Sequence, residues 1–220
     1  MDDQDRARFV HDLYEFNDMA PAQEFSRAAH RVQAVGTQDR FASHVGHSMS
    51  HMGRGRKRIV DLHGWKLMHN HAHLLFAERV DHGLSLFLKK MRGYGRYFNE
   101  RHKRRGVLFD KTKKIRIERH EQFLYILHYV HLNGLDDLPG AQGWRERSKG
   151  AIKNVDAAIA HLKADKWSSF RDYCAIRNFP SILTTGLFAG GNDYEAILRK
   201  YLFDRTGNEF FEHPFSLELE

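Results

Sequence analysis

The chain has little of what would assign it to several common protein classes. It contains one cysteine in 220 residues, Cys174, which excludes an internal disulfide and a cysteine-rich zinc site. No apolar run approaches the roughly 20 residues that span a bilayer. The N-terminal stretch MDDQDRARF is charged and lacks the apolar core of a signal peptide. We therefore expect a soluble, cytoplasmic protein with no membrane partner.

Positive charge is abundant, and it is concentrated in one segment. The net charge is +7, and hydrophobic residues make up 41% of the chain, enough for a folded core. Lys89–Arg119 alone carries thirteen lysines and arginines against three acids, so the rest of the chain is slightly acidic. Aromatic residues lie between these cations and can stack on nucleic-acid bases. The segment predicts a nucleic-acid surface, with an ordinary solvated basic face as the alternative.

Apolar periodicity predicts an α+β fold with helices on one face of a sheet. The predicted helices are Asp5–Phe16, Asp81–Arg101, His120–Asn133, Asn154–Lys163, Ser168–Ile176 and Asn192–Phe203. The predicted strands are Ile59–Leu67 and His71–Phe76, with a further hairpin or strand at Gly106–Ile117. We divide the chain into an N-terminal helix with a loop-rich basic insertion (1–58), a core that carries the motifs (59–134) and a helical C-terminal extension (135–220).

Two histidines on the second predicted strand are candidate metal ligands. His71 and His73 are two residues apart, so their side chains project from the same face of a strand. Two neighbouring imidazoles can bind one divalent cation. The chain has sixteen histidines, however, so a chance pair is also a valid reading.

The predicted helix His120–Asn133 supplies the groups that a metal-dependent reaction would need. Tyr125, Tyr129 and Asn133 follow one another at four-residue intervals and share one helical face. The carbonyl oxygen of an asparagine is a suitable ligand for Mg²⁺ or Mn²⁺, which would complete a set of His71, His73 and Asn133. A tyrosine one turn earlier would lie beside that metal. Core packing is the alternative role of the tyrosines.

Three motifs in this order resemble a known family. They are LMHNHAHLLF (Leu67–Phe76), RGYGRYFNERHKRRGVLF (Arg92–Phe109) and LHYVHLN (Leu127–Asn133). The chain resembles the single-tyrosine HUH transposases, and within them the branch of REP-associated tyrosine transposases. WSSF (Trp167–Phe170) and NFPSIL (Asn178–Leu183) are similar to the same branch.

The resemblance implies a fold and a reaction. The fold would be a ferredoxin-like antiparallel sheet with helices on one face and a helical C-terminal extension. The reaction would be metal-dependent nicking and strand transfer through a 5′-phosphotyrosine intermediate, and the partner would be single-stranded DNA with hairpin ends. Tyr129 would be the nucleophile, with Tyr125 as the fallback, and Mg²⁺ or Mn²⁺ would bind His71, His73 and Asn133. Family members occur as monomers and as homodimers, and the sequence leaves both open.

The phosphate contacts expected in the basic segment are Arg92, Arg96, Lys113, Lys114 and Arg116. Two features depart from the family. His69 stands where the family turn usually has proline. We also expect no strand before the first helix, because Met1 falls almost at that helix; either the chain starts late, or another segment or a second subunit supplies the strand. A non-cleaving DNA- or RNA-binding descendant therefore stays open, as do a replication or mobilisation nickase and an unrelated metal hydrolase that uses Asp61.

Overall fold

The protein has an α+β fold. The computed structural model describes residues 1–20, 56–110, 112–145, 152–188 and 193–204, so most of the predicted loop-rich insertion lies outside the described residues. In chain order the elements are α1 (Asp3–Glu15), β1 (Val60–Leu67), β2 (Ala72–Glu78), α2 (Gly83–Arg101), α3 (His120–Leu132), α4 (Val155–Ala164), α5 (Phe170–Tyr173) and α6 (Tyr194–Asp204). Within these ranges β1 and β2 form a two-stranded antiparallel sheet.

The chain divides into two compact units, each built from separate stretches of sequence. Unit 1 comprises Met1–Asp61, Phe76–Thr112 and Phe179–Ile182. Unit 2 comprises Leu62–Leu75, Lys113–Asn178 and Leu183–Glu220. None of the helices in the described part of the chain is long and apolar enough to cross a membrane.

Unit 1 is built on the packing of α1 against α2. Phe9 meets Tyr94 edge to face, with the ring centroids 5.1 Å apart, and Tyr94 is fully buried. Asp5 is also fully buried, where its carboxylate accepts hydrogen bonds from Arg101 at 2.5 Å and from His102 at 2.9 Å. A buried carboxylate needs such partners because removing its charge from water is costly. These contacts fix the start of α1 to the end of α2.

An asparagine side chain in unit 1 pairs with the beginning of β1. Asn17 Oδ1 accepts hydrogen bonds from Ile59 N at 3.0 Å and from Val60 N at 2.9 Å. Its Nδ2 donates to Val60 O at 2.9 Å. The side-chain amide thus provides the donor and acceptor that a neighbouring strand would otherwise provide.

Unit 2 packs α3 directly over β1. The close approach occurs at Gly64, where an added Cβ would lie 2.7 Å from Leu127 Cδ1. The segment that precedes α5 covers the backbone of β1, since Ser169 N donates to Trp65 O at 2.9 Å and Leu67 N donates to Trp167 O at 2.9 Å. These bonds supply partners for β1 on the edge not used by β2.

Several predicted elements differ from the structure. The described residues of Gly106–Ile117 contain no strand, and Val107 is 84% exposed, because β-branched residues without a partner strand do not form one. The predicted helix at Ser168–Ile176 is reduced to α5. Ser169 before it bonds to β1, and Ala175 after it adopts a positive φ of 57° that ends helical geometry.

Candidate active site

Helix α3 places the tyrosines and Asn133, and its two ends are fixed by side-chain hydrogen bonds. At the start, Gln122 Oε1 accepts from the backbone N of Arg119 at 3.2 Å. At the end, Asn133 Nδ2 donates to Tyr129 O at 2.6 Å, which satisfies one carbonyl of the last turn. The glycine after it, Gly134, lies in a short 3-10 helix (Asn133–Asp137) and is not among the glycines with positive φ, so it does not end α3 as a left-handed glycine cap.

The two histidines face each other at the start of β2. The Nε2 atoms of His71 and His73 are 3.0 Å apart. Two ligands at about 2.1 Å from one cation and at right angles to each other are also about 3.0 Å apart. The predicted same-face arrangement is confirmed, and the pair has the spacing of a bidentate site for a divalent cation.

The surroundings of His73 favour a neutral imidazole. Its pKa is lowered to about 4, mainly by burial and also by the neighbouring His71 and Arg145. His71 Nδ1 donates to Asn70 Oδ1 at 2.7 Å, which orients the ring and leaves Nε2 as the acceptor. Neutral imidazole nitrogens are the form that ligates metals. His69, in the turn before them, is exposed.

Tyr129 lies beside the histidine pair. Its ring stands edge to face with the ring of His73, with the centroids 5.6 Å apart. Tyr129 is half-buried and also packs near Trp144, with the centroids 5.8 Å apart. Tyr125 lies one turn earlier, and its ring packs against Tyr201 at 5.8 Å. The position of Tyr129, beside the histidine pair, therefore suits a nucleophile better than the position of Tyr125 does.

Asn133 is near Tyr129 in the chain, but its carbonyl oxygen is already engaged. The residue is 1% exposed. Its Oδ1 accepts a hydrogen bond from Arg145 Nη2 at 2.5 Å, while its Nδ2 bonds Tyr129 O. A divalent cation at this oxygen would share it with a guanidinium, and the two positive charges would repel each other. The histidine pair could thus hold a divalent metal, whereas Asn133 Oδ1 could serve as a third ligand only without its bond to Arg145.

Sequence reasoning missed Arg145 and the residues that hold it. Arg145 donates to Asp136 Oδ1 at 2.5 Å and to Oδ2 at 2.9 Å. Trp144 Nε1 donates to the same carboxylate at 2.7 Å. Burial acts to raise the pKa of Asp136, but the hydrogen bonds from Arg145 and Trp144 outweigh it and the pKa is lowered. No motif marks these residues, because they follow Asn133 in a stretch that reads only as turns.

The predicted phosphate contacts are all exposed, and they are divided between the two units. Arg92 and Arg96 lie on α2 in unit 1, where Arg96 pairs with Glu100 at 2.8 Å. Arg96 and Glu100 also line a shallow surface cavity of about 550 Å³. Three further cations lie in the segment without regular secondary structure before α3 in unit 2: Lys113, Lys114 and Arg116.

Asp61, the carboxylate that a metal hydrolase would require, belongs to unit 1 and forms an ion pair with Arg79 at 3.0 Å. Among the described residues no group of three His, Cys, Asp or Glu side chains could hold a metal ion. No protein-family model, curated protein or solved structure matches this chain. The chemistry of the site itself is therefore the basis for assigning a function.

Proposed function

We propose that the protein is a DNA transposase that nicks and transfers single-stranded DNA in a metal-dependent reaction, with Tyr129 as the nucleophile. The observation that carries this proposal is the facing pair of imidazoles next to a tyrosine. The Nε2 atoms of His71 and His73 are 3.0 Å apart, and the Tyr129 ring lies 5.6 Å from the His73 ring. A cation site next to a phenol is the arrangement that phosphoryl transfer to tyrosine requires.

Each residue of the proposed site has its own role. His71, His73 and Asn133 would hold Mg²⁺ or Mn²⁺, which would neutralise the charge that develops on the scissile phosphate. Tyr129 provides the attacking oxygen, and the positive charge of Arg145 lies close to its phenol. The fixed ends of α3 hold Tyr129 in place, so little reorganisation is needed when DNA binds.

The bond changes in the proposed reaction balance without a further reactant. The Tyr129 phenol loses its proton as its oxygen bonds to phosphorus, and the bond from phosphorus to the 3′ oxygen breaks. The 3′ oxygen takes up a proton and leaves as a hydroxyl, while the 5′ end stays attached to the protein as a phosphotyrosine. Attack by another 3′ hydroxyl reverses these steps and joins the strand to a new end, so no hydrolysis is required.

The same proposal includes membership of the single-tyrosine HUH transposases, a ferredoxin-like sheet and a cytoplasmic location. The partner would be single-stranded DNA with hairpin ends, and a homodimer is compatible with the proposal. The exposed cations Arg92, Arg96, Lys113, Lys114 and Arg116 would contact its phosphates.

The proposal is tested with labelled single-stranded DNA from the hairpin flanking the gene, in the presence of Mg²⁺ or Mn²⁺. Wild type should give a covalent protein–DNA band on a denaturing gel, and the band should require metal. Tyr129→Phe and His71→Ala should abolish it, whereas Tyr125→Phe, the matched tyrosine on the same helix, should retain it. A band that is lost in Tyr125→Phe and kept in Tyr129→Phe would contradict the assignment of the nucleophile.

One observation favours a second function, that of a DNA- or RNA-binding descendant that no longer cleaves. The Oδ1 of Asn133 is bonded to Arg145 at 2.5 Å, so the third ligand is engaged by a cation. Such a protein would bind labelled single strands with a strong dependence on salt but would form no covalent band with either metal.

A further inference from the structure

The guanidinium of Arg145 bonds to Asn133 at the end of α3 and lies close to Tyr129, the other residue of this helix end in the proposed cleavage site. Its Nη2 donates to Asn133 Oδ1 at 2.5 Å. The same guanidinium is close enough to the Tyr129 phenol to act on it through its charge. It is also close enough to His73 to act on that imidazole through its charge. One side chain therefore lies next to both the proposed nucleophile and the proposed third metal ligand.

Arg145 is held in this position from its other side. Both carboxylate oxygens of Asp136 accept from it, at 2.5 and 2.9 Å. Trp144, which is fully buried, donates to the same carboxylate at 2.7 Å. The Arg145 side chain nevertheless stays 44% exposed, so an anion from solution can reach it. A guanidinium anchored by a carboxylate can still bind phosphate, because it has five donors in a fixed plane.

We propose that Arg145 is a positioning residue that exchanges Asn133 Oδ1 for a phosphate oxygen of the DNA, an inference that rests on the proposed function. In the free protein Arg145 holds Asn133 Oδ1 and opposes a divalent cation there. When DNA binds, a phosphate oxygen takes the Nη2 donor, and Asn133 Oδ1 becomes available to the metal. DNA and metal then strengthen each other's binding, and by linkage the factor is the same in both directions.

The proposal predicts opposite effects of one substitution on two ligands. Arg145→Met removes the guanidinium but retains an unbranched side chain. Binding of Mn²⁺ alone should become roughly tenfold tighter or more, because a charge-assisted hydrogen bond no longer has to be broken. Binding of single-stranded DNA without metal should weaken, and its salt slope should fall by about 0.7, the value for one lost phosphate contact. A merely structural role would weaken both.

Two further variants separate the exchange from a general effect of charge. In an Asn133→Ala background, Arg145→Met should increase Mn²⁺ affinity by a smaller factor. The substitution then relieves only the repulsion between the guanidinium and a cation bound at the histidine pair. Arg145→Lys keeps the charge, but an ammonium does not reproduce the planar fork that bridges Asp136 and Asn133. It should therefore also bind Mn²⁺ more tightly than wild type does, and it provides a second test if Arg145→Met does not fold.

The experiment is calorimetric titration of the metal-free full chain with Mn²⁺, together with fluorescence anisotropy of a labelled single strand in EDTA. Circular dichroism establishes that each variant is folded. Unchanged or weaker Mn²⁺ binding in both Arg145 variants would overturn the proposed exchange of ligands. An Arg145→Met gain in Mn²⁺ affinity that is equally large in wild type and in the Asn133→Ala background would overturn it too. If binding requires His71 but ignores Arg145, only this inference fails. If no variant binds Mn²⁺ at the histidines, the proposed metal site fails as well.

Discussion

The stability of unit 2 should depend on pH through a histidine on the helix that carries Tyr129. His131 on α3 is fully buried, and burial lowers its pKa well below the ordinary value of about 6.5. Its Nε2 donates to Ser169 Oγ at 2.7 Å, and its Nδ1 accepts from the Tyr194 hydroxyl at 2.8 Å. Neutral imidazole makes both bonds. Protonation would place a second N–H against Tyr194 and a charge in the core.

The sign and size of the effect follow from these contacts. Because the pKa of His131 is lower in the folded state, the unfolded chain binds a proton first as the pH falls. The stabilisation is complete above about pH 6.5 and is lost as the pH falls below it, with a slope approaching about 1.4 kcal/mol per pH unit. Between pH 7 and pH 5 this one site should reduce the free energy of unfolding by about 2 kcal/mol.

Urea denaturation of wild type and His131→Gln at pH 7, 6 and 5 tests this reasoning. Glutamine does not titrate, so the difference in stability between the two proteins should shrink by about 2 kcal/mol on acidification. His120→Gln, an exposed substitution at the first residue of α3, is the matched control and should follow wild type. Parallel curves for wild type and His131→Gln would refute the assignment of a neutral buried imidazole.

Three further predictions concern metal, DNA and a buried ion pair. Mn²⁺ at a hundred times its dissociation constant should stabilise wild type by about 2.7 kcal/mol in thermal melts, and His71→Ala should lose this gain. Lys114→Ala should reduce the salt slope of single-strand binding by about 0.7 in a filter-binding assay, whereas Lys200→Ala on α6 should leave it unchanged. The ion pair between Lys66 and Asp165 has N and O 2.6 Å apart, with side chains only 8% and 17% exposed. Asp165→Ala should therefore lower the free energy of unfolding by about 3 kcal/mol in urea, and adding Lys66→Met should recover much of the loss.

The parts of the site that depend on local periodicity were predictable from the sequence. A two-residue interval on a strand brought His71 and His73 together, and the structure has their nitrogens 3.0 Å apart. The apolar spacing of α3 predicted a helix within one residue of its observed end at Leu132. These features depend on neighbours only a few residues apart, which is the range over which sequence patterns are informative.

The parts that depend on the path of the chain were not predictable. Arg145 bonds to Asn133, which is twelve residues earlier in the chain. Two short 3-10 helices form this part of the chain, and no periodic pattern in the sequence indicates them. The predicted strand at Gly106–Ile117 failed for a related reason, since a strand needs a partner and the sequence does not show whether one is near. Likewise, the bonds from Ser169 to β1 join residues 104 apart and shorten the predicted helix at α5.

The central claim is tested most directly by locating the covalent bond in the protein–DNA adduct. Wild type is incubated with the single-stranded substrate and Mn²⁺, the adduct is digested with trypsin and nuclease, and the modified peptide is sequenced by mass spectrometry. The account predicts a nucleotide linked through its 5′ phosphate to Tyr129. Attachment at Tyr125 or through a 3′ phosphate, or no adduct with either metal, would contradict it.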